Sequence, residues 1–516
     1  MGKQYIRVAN PTKGLDYRVP STMIDSHATP SCSEVRLESG VVEKVAGTTA
    51  FAGTVATPLT GTVMAFNYLS PILICHTTTD VYTLTATAST SKTDVAGPYT
   101  GTIANPISSV WMYVTGEAKN YYIFANGKDR PRKWDLATAT VTMLANTDTK
   151  IPAWISCFGG RLCMYNVVDG NADMPVSVYY SAPGAPEDYT SVSSGYTDLY
   201  AQLGGSSQIL RAERIGDNMI VYGDHSIALQ MYTQAANYPF AFYGAIPNVG
   251  LAAPRALLNI NNSTHIFLGW DDIYTYSGGA NVERVGGPIK DELFSIIDPS
   301  AIGNSFITYL GHENRARLHI PKVGSTVPDV YFEYNLGEQS WTRGTRTYSG
   351  CGDFQVTSTL TWASIADAWD DFVVNWDSGA NVQGSPLTLY GDASGLVYRY
   401  PTSLYSLAGA AIISYFDTPD FVGEEEYRKK VKTWYSLEFE GKGNSVDVSY
   451  SVDAGLSFTA LETVTLANDF AVYRVDLDVT STQLRFRFAN STANENFNLR
   501  WYEVGFYPGS EYYRND

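Results

Sequence analysis

The sequence predicts an all-β protein, with an irregular β-propeller over residues 61–405 and an antiparallel, jelly-roll-like β-sandwich over residues 406–516. Residues 1–60 read as an extended N-terminal arm carrying one hairpin. Three observations predict this. Tyr (37) and Gly (44) are abundant while charged residues make up only 17%, a balance that favours strands and turns over helices. A hairpin pattern recurs along most of the chain: apolar strand, glycine, acidic turn, then a strand ending in Tyr. Beyond residue 405 apolar and polar residues alternate with the period of half-buried antiparallel strands.

The pattern is plainest between Arg211 and Tyr276. Met219–Tyr222 meets the turn Gly223-Asp224-His225-Ser226, and Ile227–Tyr232 follows. Ile266-Phe267-Leu268-Gly269 meets Trp270-Asp271-Asp272, and Ile273–Tyr276 follows. Glycine with Asp or Asn at a short connection permits the positive φ angles a hairpin needs.

In chain order, Pro11, Pro20, Pro30, Gly47 and Pro58 punctuate the arm, and Ser33–Gly47 forms a hairpin around Ser39-Gly40. The repeats then begin: Pro71–Leu84, Asn120–Leu136 with its Asn126-Gly127 turn, and Gly159–Tyr180 around Asp169-Gly170-Asn171. The two copies above follow, then Arg315–Trp341 and Leu387–Tyr400. This makes about seven units at roughly 40 to 60 residues, the form a propeller takes in sequence, with a series of sandwiches as the alternative. Lys290–Asp298 and Ala363–Phe372 read as short helices between units. The charge run Glu424-Glu425-Glu426 to Arg428-Lys429-Lys430 reads as solvated surface. Beyond it, Trp434, Ser436, Glu438 and Glu440 alternate with Tyr435, Leu437 and Phe439. Three further alternating segments centre on Val446–Val452, Val472–Val479 and Leu484–Phe488, enough strands for a sandwich.

Composition excludes several functions. A net charge of −17 repels nucleic-acid phosphates and argues against sequence-reading DNA binding. Five cysteines (Cys32, Cys75, Cys157, Cys163 and Cys351) form no CxxC pair and no even framework, which fits a reducing compartment. The opening residues lack the apolar run of a signal peptide, and the longest apolar stretches are strand-length. Synthesis in a bacterial cytosol is the simplest reading.

Motifs for chemistry are sparse. Ser451-Val452-Asp453-Ala454-Gly455-Leu456-Ser457-Phe458 matches S-x-D-x-G-x-S/T-W/F, the structural turn called an Asp-box in sialidases. Glycoside hydrolysis needs two carboxyl groups at a set separation. Asp271, Asp272, Asp370, Asp371, Glu187 and Asp188 are available, yet all lie where acidic residues serve turn geometry. No G-x-S-x-G elbow occurs, and the six histidines (His27, His76, His225, His265, His312 and His319) are scattered without zinc spacing. Asp169-Gly170-Asn171-Ala172-Asp173 offers oxygen ligands without the downstream Glu of a calcium loop. Arg130-Pro131-Arg132-Lys133 is a small basic cluster that reads as a solvated turn or a contact for DNA or an acidic neighbour. The reading therefore assigns no catalytic, cofactor-binding or metal-binding residue and no cofactor.

The order of landmarks resembles the tail-accessory, or nozzle, proteins of short-tailed bacteriophages, also called packaged-DNA stabilisation proteins. Ser39–Thr48 is similar to their G-x-L-x-K-R-P-G-T segment, with Val45-Ala46 in place of Arg-Pro. Phe124-Ala125-Asn126-Gly127 with Trp134-Asp135 resembles F-A-N-G…W-D. Gly159–Leu162 with Ser181–Tyr189 resembles G-R-L…S-x-x-G-x-P-E-D-W, and Pro239-Phe240 with Gly250–Pro254 resembles P-F…G-x-x-A-P. The resemblance covers residues 35 to 345. It implies a non-enzymatic virion protein, six copies of which ring the DNA channel below the portal and adaptor. The ring would retain and release the genome and carry fibres, spikes or a needle. An acidic chain repeated around that channel would let double-stranded DNA slide without binding a sequence. The implied location is the virion tail, assembled in the bacterial cytoplasm. The alternative is a carbohydrate-active or receptor-binding propeller, a glycosidase or an adhesin.

Overall fold

The computed structural model describes residues 2–51, 54, 57–69, 72–85, 89–94, 97–147, 149–235, 238–355, 386–401, 404–423 and 430–512. The regular structure is nearly all β, and helix is confined to short segments such as Lys290–Ile296, whose buried Leu293 anchors it. The expected helix at 363–372 and the charge run at 424–429 lie outside the described residues.

Among the described residues, seven antiparallel strand groups, numbered sheets 1 to 7, follow one another. Strands pair in sequence order, except that sheet 7 takes its last strand from the N-terminal region. Sheets 1 and 7 are joined into one eight-stranded sheet where Gly350–Gln355 pairs in parallel with Val63–Leu69 at Cys351 and Ala65. Sheet 1 comprises Val63–Leu69, Ile72–Thr77, Val81–Leu84 and Ser89–Ser91. Sheet 2 comprises Ser108–Val114, Lys119–Ala125, Arg132–Trp134 and Thr140–Met143, with Thr93–Asp94 added in parallel at its outer edge. Sheet 3 comprises Lys150–Phe158, Arg161–Asp169, Ala172–Tyr180 and Gly195–Asp198. Sheet 4 comprises Ile209–Ile215, Asn218–Gly223, Ile227–Tyr232 and Phe240–Ile246. Sheet 5 comprises Leu257–Ile260, Thr264–Leu268, Ile273–Tyr276 and Glu283–Arg284. Sheet 6 comprises Phe306–Leu310, Arg315–Ile320, Val330–Asn335 and Ser340–Gly344. Sheet 7 comprises Gly350–Gln355, Pro386–Gly391 and Val397–Tyr400, and its fourth strand is Thr49–Ala50 from the N-terminal region. Each recurring hairpin read from the sequence falls in a different one of these sheets.

Each sheet buries both faces, and the sequence shows why. Inner strands such as Arg315–Ile320 and Val330–Asn335 are buried at every position, so they read as continuous runs rather than alternations. Successive sheets share an apolar core. Ile74 and Val81 of sheet 1 pack with Tyr122 and Phe124 of sheet 2, and Met112 and Ile123 with Leu162 and Met164 of sheet 3. Cys163 and Val178 pack with Met219 and Val221 of sheet 4, and Tyr222 and Ile227 with Phe267 and Tyr274 of sheet 5. Ile266 and Leu268 pack with Ala316 and Leu318 of sheet 6, and Phe306 and Leu310 with Tyr390 and Tyr400 of sheet 7. Leu389 and Val397 of sheet 7 then pack with Val63 and Leu73 of sheet 1, so the series returns to its start.

Buried polar pairs cross some of these junctions. The Tyr122 hydroxyl and His76 Nε2 share a 2.7 Å hydrogen bond between sheets 1 and 2. Tyr165 donates to Gln230 Oε1 (2.8 Å) between sheets 3 and 4, and Tyr222 and His265 Nδ1 pair at 2.7 Å between sheets 4 and 5. Burial lowers His76 to about 3 and His265 to about 4, so both rings stay neutral.

The C-terminal strands form two further sheets. One places Lys430–Gly443 between Ala471–Ser481 and Phe497–Tyr512; the other runs Ser414–Asp417, Arg485–Asn490, Ser445–Ser451, Thr459–Thr465. Their inward residues, Leu437, Phe439 and Val475 against Val446, Phe486 and Phe488, share one core with sheets 5 and 6. One detail of the alternation is corrected. Trp434 was expected on the face opposite Leu437 and Phe439, but a β-bulge between Trp434 and Ser436 shifts the phase. Trp434 and Leu437 are therefore both buried, and Tyr435 is half-buried.

The N-terminal residues are woven into these elements. Gln4–Ala9 pairs with Phe506–Trp501, and Cys32-Ser33 pairs with Phe416-Tyr415. The hairpin Val35–Glu38 and Val41–Lys44 turns at Ser39 (φ 52°) and Gly40 (φ 79°) and pairs with Asn498 and Leu499. No helix of the described residues is long and apolar enough to cross a membrane. All five cysteines are free thiols.

Candidate functional site

The first strands of six of the seven sheets converge on one cavity of about 360 Å³. Its wall takes Met64 from sheet 1, Trp154 from sheet 3, Arg211 and Glu213 from sheet 4, Asn259 from sheet 5, Thr308 from sheet 6 and Asp353 from sheet 7. Ile107, just before the first strand of sheet 2, completes the circuit. The volume lies in the range of small-molecule sites, roughly 300–1,000 Å³.

Arg211 organises one side. It donates to Glu213 Oε2 (2.8 Å) and to the carbonyls of Leu257 (2.9 Å) and Pro254 (3.2 Å), and its guanidinium lies 4.8 Å from the centre of the Trp154 ring. Burial would raise the Glu213 carboxyl, but Arg211 outweighs it and holds the carboxyl below its usual range. Asn259 Nδ2 also reaches Glu213 Oε1 at 3.3 Å. Arg255, also on the wall, donates to Met64 O of sheet 1 (3.5 Å) and to Asn304 O (2.9 Å) and Ser349 O (2.6 Å) in the connections leading into sheets 6 and 7. Burial lowers it to about 10. Across the cavity, the protein packed around Asp353 raises its carboxyl above the usual range. Burial pushes the neighbouring Cys351 thiol up to about 11, so it stays protonated at neutral pH.

The carboxylates singled out from the sequence lie elsewhere. Asp271 accepts from the Tyr274 hydroxyl (2.6 Å) and pairs with Arg284 (3.1 Å), while Asp272 is buried and accepts from the Ile273 N–H (2.8 Å). Glu187 accepts from the Ala145 N–H (2.7 Å) and pairs with Lys133 (3.1 Å); Asp188 caps the Thr190 and Ser191 N–H groups. Asp370 and Asp371 lie outside the described residues. Asp169 is engaged by Thr149 Oγ1 (2.5 Å) and Lys150 (3.1 Å). Among the described residues, no three of His, Cys, Asp and Glu gather to hold a metal ion. Arg132 of the basic cluster is buried, with its guanidinium 4.2 Å from the centre of the Tyr99 ring. The Ser451–Phe458 turn adopts the expected bonding, with Ser457 N–H and hydroxyl on the Asp453 carboxylate and Gly455 N–H on Ser451 Oγ.

A grouping that sequence reasoning missed lies beneath the N-terminal hairpin. Glu333 receives Arg315 Nη1 (2.8 Å), Arg317 Nε (2.9 Å) and Arg317 Nη2 (2.6 Å), with all three side chains 0–1% exposed. Arg315 also bonds Leu37 O (3.1 Å) and Glu38 (3.0 Å) of the hairpin. Glu34 holds Arg346 through two bonds, at 3.0 and 2.7 Å, and Arg36 pairs with Glu313 at 2.6 Å. Burial would raise Glu333, but Arg317, Arg315 and Arg36 hold it down to about 2. The signal in the sequence was Arg-x-Arg inside an otherwise apolar strand, facing a strand with one Glu.

No family model matches the chain, and no curated protein matches it. Among solved structures, it is similar to the computationally designed Ika8 protein at 8% identity and a TM-score of 0.36, covering 75% of this chain and 100% of that one. It is similar to the exo-beta-1,3-galactanase from Phanerochaete chrysosporium at 11% identity and a TM-score of 0.23, covering 80% and 98%. A family 29 carbohydrate-binding module aligns with 20% of this chain and 74% of its own at 14% identity and a TM-score of 0.14. None of these likenesses bears on what the chain does.

Proposed function

We propose that the chain is a seven-bladed β-propeller fused to a β-sandwich, and that it serves as a structural subunit of a short-tailed phage tail. Six copies would form a nozzle below the portal and adaptor. The small cavity lies within one copy, so DNA would pass along the axis between copies.

One observation carries the structural reading. Three of the four segments that resemble nozzle proteins are fasteners between successive sheets. Asn126 holds Asp129 (2.8 Å), which accepts from Thr100 N–H (2.9 Å) in the connection between sheets 1 and 2. The Ser181–Tyr189 loop bonds back to sheet 2 through Gly184 O with Thr115 N–H (2.9 Å) and through Glu187. In Gly250–Pro254, Leu251 N–H bonds Gly223 O (3.0 Å) of sheet 4 and Ala252 N–H bonds Leu268 O (2.9 Å) of sheet 5.

The test is the native mass of the purified chain, alone and mixed with a portal–adaptor assembly from the same genome. A gain of about six copies on the assembly is the result expected for cyclic closure. Failure to join the assembly refutes the tail reading.

A second reading, a carbohydrate-active propeller, is favoured by the cavity wall. Its two carboxyls, Glu213 and Asp353, are shifted in opposite directions, the division that a base or nucleophile and an acid require. Under that reading the chain depletes a glycan from an array and Asp353→Asn abolishes the turnover. A wild-type chain without turnover rejects it.

A further inference from the structure

The outer strands of six of the seven sheets are short or covered, and that of sheet 4 is neither. Those of sheets 1, 3, 5 and 7 have two to four residues: Ser89–Ser91, Gly195–Asp198, Glu283–Arg284 and Thr49–Ala50. That of sheet 2 is covered by Thr93–Asp94. That of sheet 6, Ser340–Gly344, lies under the N-terminal segment, with Gly14 against the Trp341 backbone. Sheet 4 ends in Phe240–Ile246, seven residues long and at the edge of its sheet. It contains no charged residue and no proline, and no Asp, Glu, Lys or Arg occurs anywhere from 225 to 254. Exposed tyrosines flank it: Tyr243 (55%), Tyr238 (78%) and Tyr232 (42%).

An uncharged edge strand presents open backbone donors and acceptors, which proteins normally blunt with charge, proline, brevity or a bulge. Here a bulge interrupts the pairing only at the end of the strand, between Gly244 and Ile246, and Phe240–Gly244 pair regularly. Its composition, tyrosine-rich and free of Lys and Glu, is that of an interface centre. The chain carries −17 overall, so two copies repel wherever their acidic surfaces face. Residues 225–254 are a stretch where like copies approach without opposing charges.

We propose that Phe240–Ile246 is the subunit contact, and that a neighbouring copy of this chain lays an extended segment along this edge in the assembly. The inference rests on the oligomeric part of the proposed function and names its interface. Strand addition supplies main-chain hydrogen bonds for affinity, and the tyrosines supply the side-chain fit.

The experiment combines hydrogen exchange with native mass on the full chain, in dilute solution and at the concentration where it assembles. Amides of 240–246 should exchange about tenfold or more slowly in the assembled form. Tyr243→Lys, at a half-exposed position outside the core, should raise the concentration needed for assembly by about tenfold or more. Its thermal unfolding, unchanged from wild type, confirms that the fold is intact. A ring that forms with 240–246 unprotected, or that Tyr243→Lys leaves unchanged, overturns the inference while the tail reading stands. Dimers that protect the strand but ignore the portal–adaptor assembly keep the inference and refute the tail reading. A chain that remains monomeric alone and with the assembly overturns both.

Discussion

Replacing Glu333 by Ala should loosen the chain more than any surface change, because of what it leaves behind. Glu333 accepts three hydrogen bonds from Arg315 and Arg317, all at 2.9 Å or less, in a region 0–1% exposed. Arg315 would keep Leu37 O and Glu38, but Arg317 would keep as a hydrogen-bond acceptor only the Tyr400 hydroxyl at a long 3.4 Å, besides the faces of the Tyr331 and Tyr400 rings. Breaking a buried pair from one side costs ~3–5 kcal/mol, because the remaining charge is desolvated and unpaired. The depressed carboxyl points the same way. Arg317, Arg315 and Arg36 hold the Glu333 carboxyl well below its ordinary value against the effect of burial, so its ionised form favours the folded state. Its folded value is depressed, so this stability is present above pH 4.5 and is lost as pH falls towards 2. A chain of this size need not unfold in one step, so the readout is local: native-state hydrogen exchange of the hairpin strands Val35–Glu38 and Val41–Lys44, which Arg315 clamps. Their opening free energy should fall by ~3 kcal/mol or more. Replacing Arg315, Arg317 and Glu333 together with apolar residues of similar volume should recover most of the loss. A Glu333→Ala loss below ~1 kcal/mol refutes the view that the cluster fixes the hairpin.

Two further outcomes follow from buried groups and close contacts. Burial lowers His76 to about 3 and His265 to about 4, and holds His319 well below its usual value. Each must gain a proton on unfolding below pH 6.5, so the urea midpoint should hold steady above pH 7 and fall steadily from 6.5 towards 4. A flat profile between pH 6.5 and 5 sinks this. Gly250→Ala places a Cβ 2.2 Å from the Asp224 backbone and should cost ~3 kcal/mol or more, whereas Gly279→Ala meets no atom within 4 Å and should stay within ~0.5 kcal/mol. Equal thermal shifts for the two variants would contradict the packing of the sheet 4 to sheet 5 connection.

Much of the β architecture was legible because hairpins are local. The strands flanking Gly223–Ser226 and Trp270–Asp272 fall where the pattern put them, but the expected reason is corrected. No residue of either turn has a positive φ, and Gly223 and Gly269 are instead sites where a Cβ would meet Ser206 Oγ (2.3 Å) and the Tyr274 ring (2.7 Å). The cavity was not legible, since its wall takes a few residues from each of six sheets spread over three hundred positions. Arg211 and Glu213 look like ordinary alternation in a strand until Asp353 arrives across the cavity from sheet 7. The Glu333 cluster was hidden for the same reason, its partners Glu34 and Arg36 lying near the other end of the chain. Trp434 shows a smaller limit: a bulge changes the phase of a strand with no change in residue chemistry.

The N-terminal residues are where local reading failed most instructively. Punctuated by prolines and short of pattern, they read as an extended arm with one hairpin, and four of their strands, Gln4–Ala9, Cys32-Ser33, Val41–Lys44 and Thr49–Ala50, pair with strands from elsewhere in the chain. Thr49–Ala50 finishes sheet 7, which packs against sheet 1. Parting sheets 7 and 1 therefore strains a strand only four residues from the hairpin end at Lys44. That hairpin is held by Arg315 and by its pairing with Asn498 and Leu499. Opening at one junction is thereby coupled to the buried charges and to the C-terminal sheets. Exchange data on Glu333→Ala offer a direct check: the coupling requires protection to drop at Thr49-Ala50 and Tyr398-Arg399 along with the hairpin. A drop confined to the hairpin would separate the two and leave sheet 7 closed by its own pairing alone.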